Sequence, residues 1–451
     1  MSQRFIVLCE ELATLQLQLL RREAAPKKLA KEGLNLIKEN LDCLTPSSVN
    51  KAVVPLYLRS CASLLKHVPD RDELAVLDVL DETFAVAKEY IHSKRNESPN
   101  DDCSVLRSIM SIDECYANFS AKNSPSSSHD ESKAVGSQFS ELVVPVYDRG
   151  MRNLRSHPDS VSTQSMLTLM QGTSKVYGNN IKFVPTTADI SSLLPIKPKI
   201  QMEAKIQRCY GARDLLNRLC QRELSRLDAG MCLSVMAETG FYDGDVCNLC
   251  CSALHTSHPL LTSPQLCQII HSLGILQHRH IHQKFFSSLI DPKKCTADGL
   301  KKHVQGLAML RQPPFSETKL MNGVFLHSLR NAHSPHHQGS TATKGPKPHL
   351  RYNEAVVDYE LPPLWYIDVG HSLSVLDITH HKFKLSVARQ ARRSIAKLST
   401  LERCKLLYAV GGAPLESVPT ELRAAWENKW ARLSTSRRRN SRRLSRWMGR
   451  R

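Results

Sequence analysis

The residues best suited to chemistry lie near the end of the chain. Residues 432–451, RLSTSRRRNSRRLSRWMGRR, hold nine arginines (Arg432, Arg437, Arg438, Arg439, Arg442, Arg443, Arg446, Arg450 and Arg451) and no acid. A guanidinium grips a phosphate through parallel N–H donors and also stacks on exposed bases. Trp447, with Trp426 and Trp430 just upstream, supplies aromatic faces on which bases stack for about 1–3 kcal/mol each. The segment is therefore expected to be an RNA-binding arm. A solvated tail or an anionic-lipid anchor would share the charge, but the interleaved tryptophans favour RNA. A second basic face is expected upstream, with Arg389, Arg392, Arg393 and Lys397 on one helix at three- and four-residue intervals.

A metal site is the competing chemistry. Cys247, Cys250 and Cys251 are followed by His255 and His258, and then by His278, His280 and His282. Zinc needs four converging thiolates or imidazoles. These cysteines fall where a helix needs apolar residues, and no second Cys-x-x-Cys pairs with them, so buried structural thiols are expected and no metal or other cofactor. Enzyme signatures are missing: the sequence has no glycine-rich phosphate loop, no G-x-S-x-G elbow and no H-E-x-x-H. Catalysis is not expected.

Charge sets the arm apart from the rest. Of the formal net charge of +18 over 451 residues, residues 382–451 contribute +15, from 19 Lys and Arg against Glu402, Glu416, Glu421 and Glu427. A nearly neutral body with a basic extension points to a polyanionic partner. The 14 cysteines show no framework spacing and the first residues form no apolar signal segment, which points to a reducing compartment. No apolar run reaches the length of a membrane span. The first 23 residues read as an amphipathic helix; Arg4, Arg21 and Arg22 suit a matrix-targeting peptide, whereas Glu10 and Glu11 do not.

The elements that would carry these residues follow from internal repetition. Three blocks begin 34 residues apart, at Leu227, Leu261 and Cys295. With few exceptions apolar residues recur at +5, +8, +9, +12 and +15, in the second block Leu266, Ile269, Ile270, Leu273 and Leu276, which is one face of a helix. Position +1 holds Asp228, Thr262 and Thr296, each suited to capping a helix start. Position +13 holds Gly240, Gly274 and Ala308, small enough to end a helix or admit a close neighbour. Blocks beginning at Leu44 and Val161, with caps expected at Thr45 and Ser162, share the early part of this pattern. A second helical stretch after each later block makes the unit helix–turn–helix, and stacked units bury a continuous core. The expected fold is all-α, a helix-turn-helix repeat or α-solenoid of period near 34, with a small mixed segment and a basic helical C-terminal arm.

The expected organisation is an N-terminal helical region (1–92), a flexible polar loop (93–138), the repeat domain (139–331), a linker (332–350), a mixed and helical region (351–431) and the arm (432–451). Within the mixed region, residues 364–378 are expected to form two short strands. Helix is expected from 381 to 410, and again after Thr420.

The apolar stripe, the glycine in AETGFYDGDV and HSLGILQHRH, and the second helix beginning beside Asp or His resemble the heptatricopeptide-type repeats of FAST-kinase-like and RAP-domain proteins. The resemblance covers residues 205–315, and more loosely 44–90 and 161–183. It implies an organellar RNA-binding protein of the kind found in protist mitochondria, where some such proteins are mitoribosome components. The RAP domain that closes such proteins has a strand motif with acidic residues. Asp368 and Asp377 stand in YIDVGHSLSVLDI, but their spacing departs from that motif, and nuclease activity is not carried across.

The reading reached is a structural RNA-binding subunit of a mitochondrial ribosome in the matrix, bound to rRNA and to other ribonucleoprotein subunits. A mitochondrial RNA-stability or processing factor is the alternative within the same class. An accessory subunit of a respiratory complex, with the arm on anionic lipid, is the alternative outside it.

Overall fold

The structure is a computed structural model that describes residues 2–21, 23–44, 49–68, 73–92, 99–123, 138–178, 194, 199–330, 361–394 and 397–411. Among them are eighteen α-helices and no strand. The chain divides into two compact units, Met1–Lys182 with Ala204–Val235, and Phe183–Glu203 with Met236–Arg451.

The first unit is two layers of helix. One layer contains α1 (Ser2–Arg21), α3 (Val54–Leu65), α5 (Pro99–Asn123) and α7 (Thr163–Gly178), each packed on the next. The other contains α2 (Pro26–Glu39), α4 (Glu73–His92) and α6 (Gln138–Ser156), packed in the same succession. The amphipathic stripes make this possible: Phe5, Leu8, Cys9 and Leu12 of α1 recur at three- and four-residue steps and are all buried. Helix α7 starts at the expected cap, with Ser165 N–H donating to Ser162 Oγ at 3.1 Å. The expected cap Thr45 lies outside the described residues. The short helices α8 (Lys199–Arg208) and α9 (Ala212–Cys220) follow, and α9 packs on α7.

The polar stretch 93–138 is not simply a loop: α5 occupies 25 of its residues. Polar composition hid a buried stripe of Cys103, Val105, Leu106, Ile109 and Ile112. Asn100 anchors the start, accepting from Ser162 N–H and Ser165 Oγ and donating to the Ser160 carbonyl.

From Arg226 onward nine helices follow among the described residues. The helices are α10 (Arg226–Thr239), α11 (Gly244–Thr256), α12 (Ser263–Leu276), α13 (Gln283–Leu289), α14 (Ala297–Leu310), α15 (Glu317–Arg330), α16 (Pro363–Val375), α17 (His381–Ser394) and α18 (Thr400–Gly411). In the second unit α12 packs on α14, α14 on α16 and α16 on α18. The start and end of these helices match closely. For each of α10, α12, α14 and α16 a residue of positive φ (Gly240, Gln277, Arg311, Asp377) stands fifteen residues after the cap (Ser225, Thr262, Thr296, Pro362). In the last three the following N–H reaches back five residues, His278 to Leu273, Gln312 to Leu307 and Ile378 to Leu373, which closes the helix with the same double turn. Ser399 caps α18, with Glu402 completing a capping box.

The caps correct the expected register. Ser225 rather than Asp228 caps α10, and Asp228 is the third residue inside, with its N–H donating to Ser225 Oγ at 3.2 Å. Gly274 and Ala308 lie within their helices, and Gly274 admits a close neighbour, since a Cβ there would lie 2.9 Å from the Gly306 backbone. Successive caps at 225, 262, 296, 362 and 399 stand 37, 34, 66 and 37 residues apart. The spacing is 34 only between the second and third.

The expected strands of 364–378 are also corrected, since these residues form α16. Trp365, Tyr366, Ile367, Val369, Gly370, His371, Ser372 and Leu373 are all buried. A helix buried on every side reads as a continuous apolar run, which is also how a buried strand reads. Pro363 at the first position, Trp365 Nε1 donating to the Ala297 carbonyl at 2.8 Å, and Ile367, Val369 and Leu373 in the core hold it as helix.

Candidate nucleic-acid interface

Of the residues expected to touch RNA, the arm of Arg432, Arg437, Arg438, Arg439, Arg442, Arg443, Arg446, Trp447, Arg450 and Arg451 lies outside the described residues. So do the linker 332–350 and the helix expected after Thr420. The described part of the expected interface is α17. It is an amphipathic helix whose Phe383, Val387 and Ala391, at four-residue steps, are buried. Phe383 packs edge-on against Phe325 of α15 and Trp365 of α16, and stacks on Tyr366. That cluster fixes the rotation of α17. Positions 389, 392 and 393 fall in the helical register away from the buried stripe. His381 and Lys382 are exposed at the start. Lys397 is exposed but lies beyond the helix end at Ser394, so it does not extend the same face as expected.

The two carboxylates of the candidate strand motif have structural roles. Asp368 accepts from Lys405 Nζ of α18 at 2.7 Å, in a pair about four-fifths buried on either side. Asp377 occupies the positive-φ position that ends α16. Neither converges with a second acid.

Cys247, Cys250 and Cys251 lie on α11 and are buried, as expected of core thiols. Burial pushes the Cys251 thiol up to about 12, which keeps it protonated at neutral pH. The histidines are another matter, for they gather into a ledge of rings that the sequence did not reveal. The His255 ring stacks on His282 with centroids 3.7 Å apart, His280 lies 5.0 Å from His282, and Phe285 stands edge-on to His258 at 4.8 Å. His278 bridges inward, with Nδ1 3.2 Å from the Tyr242 hydroxyl and Nε2 3.1 Å from Asn248 Oδ1. Lys199 lies over the Tyr242 ring at 4.8 Å. The one available signal was the alternation His278, His280, His282; what it lacked was the turn that folds 278–282 back against the end of α11.

Desolvation with the neighbouring His282 and His258 imidazoles holds His255 below its usual value, and His280 is lowered by desolvation with His282 and His255. Desolvation is also the main cause that pushes His278 down to about 4. At neutral pH His255, His278 and His280 are thus aromatic faces rather than cations. Among the described residues no group of three or more His, Cys, Asp or Glu side chains is placed to hold a metal ion.

A Ser–His pair also occurs. Ser287 Oγ lies 3.3 Å from His303 Nε2 beside a small cleft lined by Pro314, Phe315 and Lys319. A catalytic histidine needs a group on its other nitrogen to orient the ring and stabilise the imidazolium. His303 Nδ1 is buried with no hydrogen-bond partner, and burial pushes its pKa down to about 4. The pair is a core contact.

No protein-family model matches the sequence. No curated protein matches it.

Proposed function

We propose that the chain is a helical-repeat protein of the α-solenoid type that binds RNA as a structural component of a mitochondrial ribosome, in the matrix, alongside other ribonucleoprotein subunits. The observation that carries this reading is the partition of charge, with +15 of the formal +18 in residues 382–451 and nine arginines in the last twenty. A polyanion neutralised by that segment releases its condensed counterions, which drives binding without any need for catalysis. The succession of α12, α14, α16 and α18, each packed on the next, supports a repeat scaffold. Among the described residues no helix is long and apolar enough to cross a membrane. The ledge of His255, His282 and Phe285 beside Lys199 and Tyr242 offers ring faces of the kind on which unpaired bases stack.

The test is sedimentation of the native protein from lysed mitochondria, before and after RNase treatment. Co-migration with ribosomal particles that RNase abolishes is the expected result. Migration with small RNAs would favour an RNA-stability factor, and migration with a respiratory complex unaffected by RNase would overturn the reading.

A further inference from the structure

We propose that Cys267 and Cys295 form a redox-sensitive dithiol, which a hydroperoxide closes into a disulfide that clips α12 to the turn leading into α14. The two sulfurs stand 3.5 Å apart. Cys267 is fully buried on the second turn of α12, and Cys295 is 6% exposed. The pair joins α12 to the approach to α14, because Cys295 immediately precedes Thr296, the cap of α14.

Backbone freedom is distributed as such a closure needs. A disulfide bond is about 2.05 Å long, so the sulfurs must approach by roughly 1.5 Å. Cys267 is held by its helix, but Cys295 is extended (φ −79°, ψ 154°) after the short turn Pro292–Lys294. Gly299 adjoins the pair: a Cβ there would be in ordinary contact, at 4.0 Å, with the Cβ atoms of both cysteines and 3.2 Å from Thr296 Oγ1.

The two thiols are also unequal. The two sulfurs share a hydrogen bond in which either can donate, and Cys295 Sγ also donates to the Asp291 carbonyl at 3.4 Å; the shared bond lowers the Cys295 thiol despite burial and raises that of Cys267. Cys295 is therefore the nucleophile and the more accessible of the two. Its thiolate attacks one peroxide oxygen and the O–O bond breaks. Cys295 becomes a sulfenic acid, and the departing hydroxide takes up the proton that Cys295 released, leaving as the first water (an alcohol, if the peroxide is organic). Cys267 then loses its proton and its sulfur attacks Cys295 Sγ. The S–O bond breaks, and hydroxide with that proton leaves as water. The two thiols lose two electrons and two protons in all, and the peroxide is reduced by two electrons. A dithiol reductant reverses the bond.

Full-length reduced protein is treated with hydrogen peroxide, its free thiols are alkylated, and it is digested without reductant for mass spectrometry. The expected product is a peptide pair joined through Cys267 and Cys295, lost on adding dithiothreitol. Oxidised wild type should melt several degrees higher than reduced, and C267S and C295S should show no such shift. In C267S and in C267A, Cys295 should be trapped by dimedone as the sulfenic acid, whereas in C295S Cys267 should remain a thiol. Circular dichroism of each variant confirms its fold. The proposal is overturned if peroxide leaves both thiols alkylatable in folded wild type, or if Cys295 pairs with another cysteine. Dimedone labelling of Cys295 in wild type without any disulfide would overturn it as well.

Discussion

Gly274 and Gly306 meet where α12 crosses α14: a Cβ on Gly274 would lie 2.9 Å from both Cα and O of Gly306, and a Cβ on Gly306 would lie 2.6 Å from the Ile270 carbonyl oxygen. The obstacle is backbone in both cases, so no side chain can rotate aside. G306A must push the helices apart and is expected to cost about 1–3 kcal/mol, as overpacking does. Gly230, inside α10, has nothing within 4 Å of its Cβ position. G230A should instead stabilise by about 0.5–1 kcal/mol through the lower helix propensity of glycine. Urea unfolding midpoints of the two variants should move in opposite directions; equal shifts would remove the crossing from the account.

His303 makes stability depend on pH. It is 3% exposed, and burial pushes it down to about 4. The unfolded chain takes up this proton near pH 6.5, whereas the folded chain resists until about 4. Stability is therefore complete above pH 6.5 and falls as pH drops toward 4, by about 1.4 kcal/mol per unit for this group. His271 and His278, also pushed down to about 4, act in the same direction. H303Q should be less stable than wild type at pH 7, yet show a shallower loss between pH 6.5 and 4.5 in denaturant titrations. An unchanged slope would refute the assignment.

Asp102, 1% exposed near the start of α5, accepts from Arg149 at 3.4 Å and from Asn153 at 3.0 Å. Burial nonetheless outweighs Arg149 and raises its pKa. R149M leaves that carboxylate with only Asn153 and is expected to cost about 3–5 kcal/mol at pH 7. The penalty should shrink as pH falls, because protonating Asp102 removes the buried charge. A penalty independent of pH would mean that Arg149 matters through packing alone.

How much of this was legible in the sequence depends on which signal each feature leaves. Apolar stripes gave the helices, and Leu266, Ile269, Ile270, Leu273 and Leu276 are all buried. They did not give the register, because a helix face is shared by steps of three and four, so a slip of three residues at Asp228 kept the stripe in place. The capping hydrogen bonds of Ser225, Thr262 and Thr296 set it instead. Helix α16 was misread for a related reason: burial on all sides erases periodicity. The His255–His282 stack needed two segments brought together by tertiary packing, which no local pattern records. The arm is legible by charge alone, and the RNA-binding proposal rests on its arginine density.

That charge makes the RNA-binding proposal quantitative. Each phosphate contact on a single strand releases counterions, so log K falls with log salt by roughly 0.7 per contact. Removing residues 432–451 deletes nine arginines; if about half of them contact phosphate, the slope should flatten by about three units. Phosphate contacts position without reading bases, so affinity should drop to a similar extent for unrelated RNA sequences. W447A should weaken binding with little change in slope, because stacking displaces few ions. Replacing Arg389, Arg392 and Arg393 together should flatten the slope by up to about two units if α17 extends the footprint. Filter binding across a salt series measures all three variants. If the truncated protein kept both its affinity and its slope, the arm would not be the RNA-binding element, and its charge would have to answer to an anionic lipid or protein surface instead.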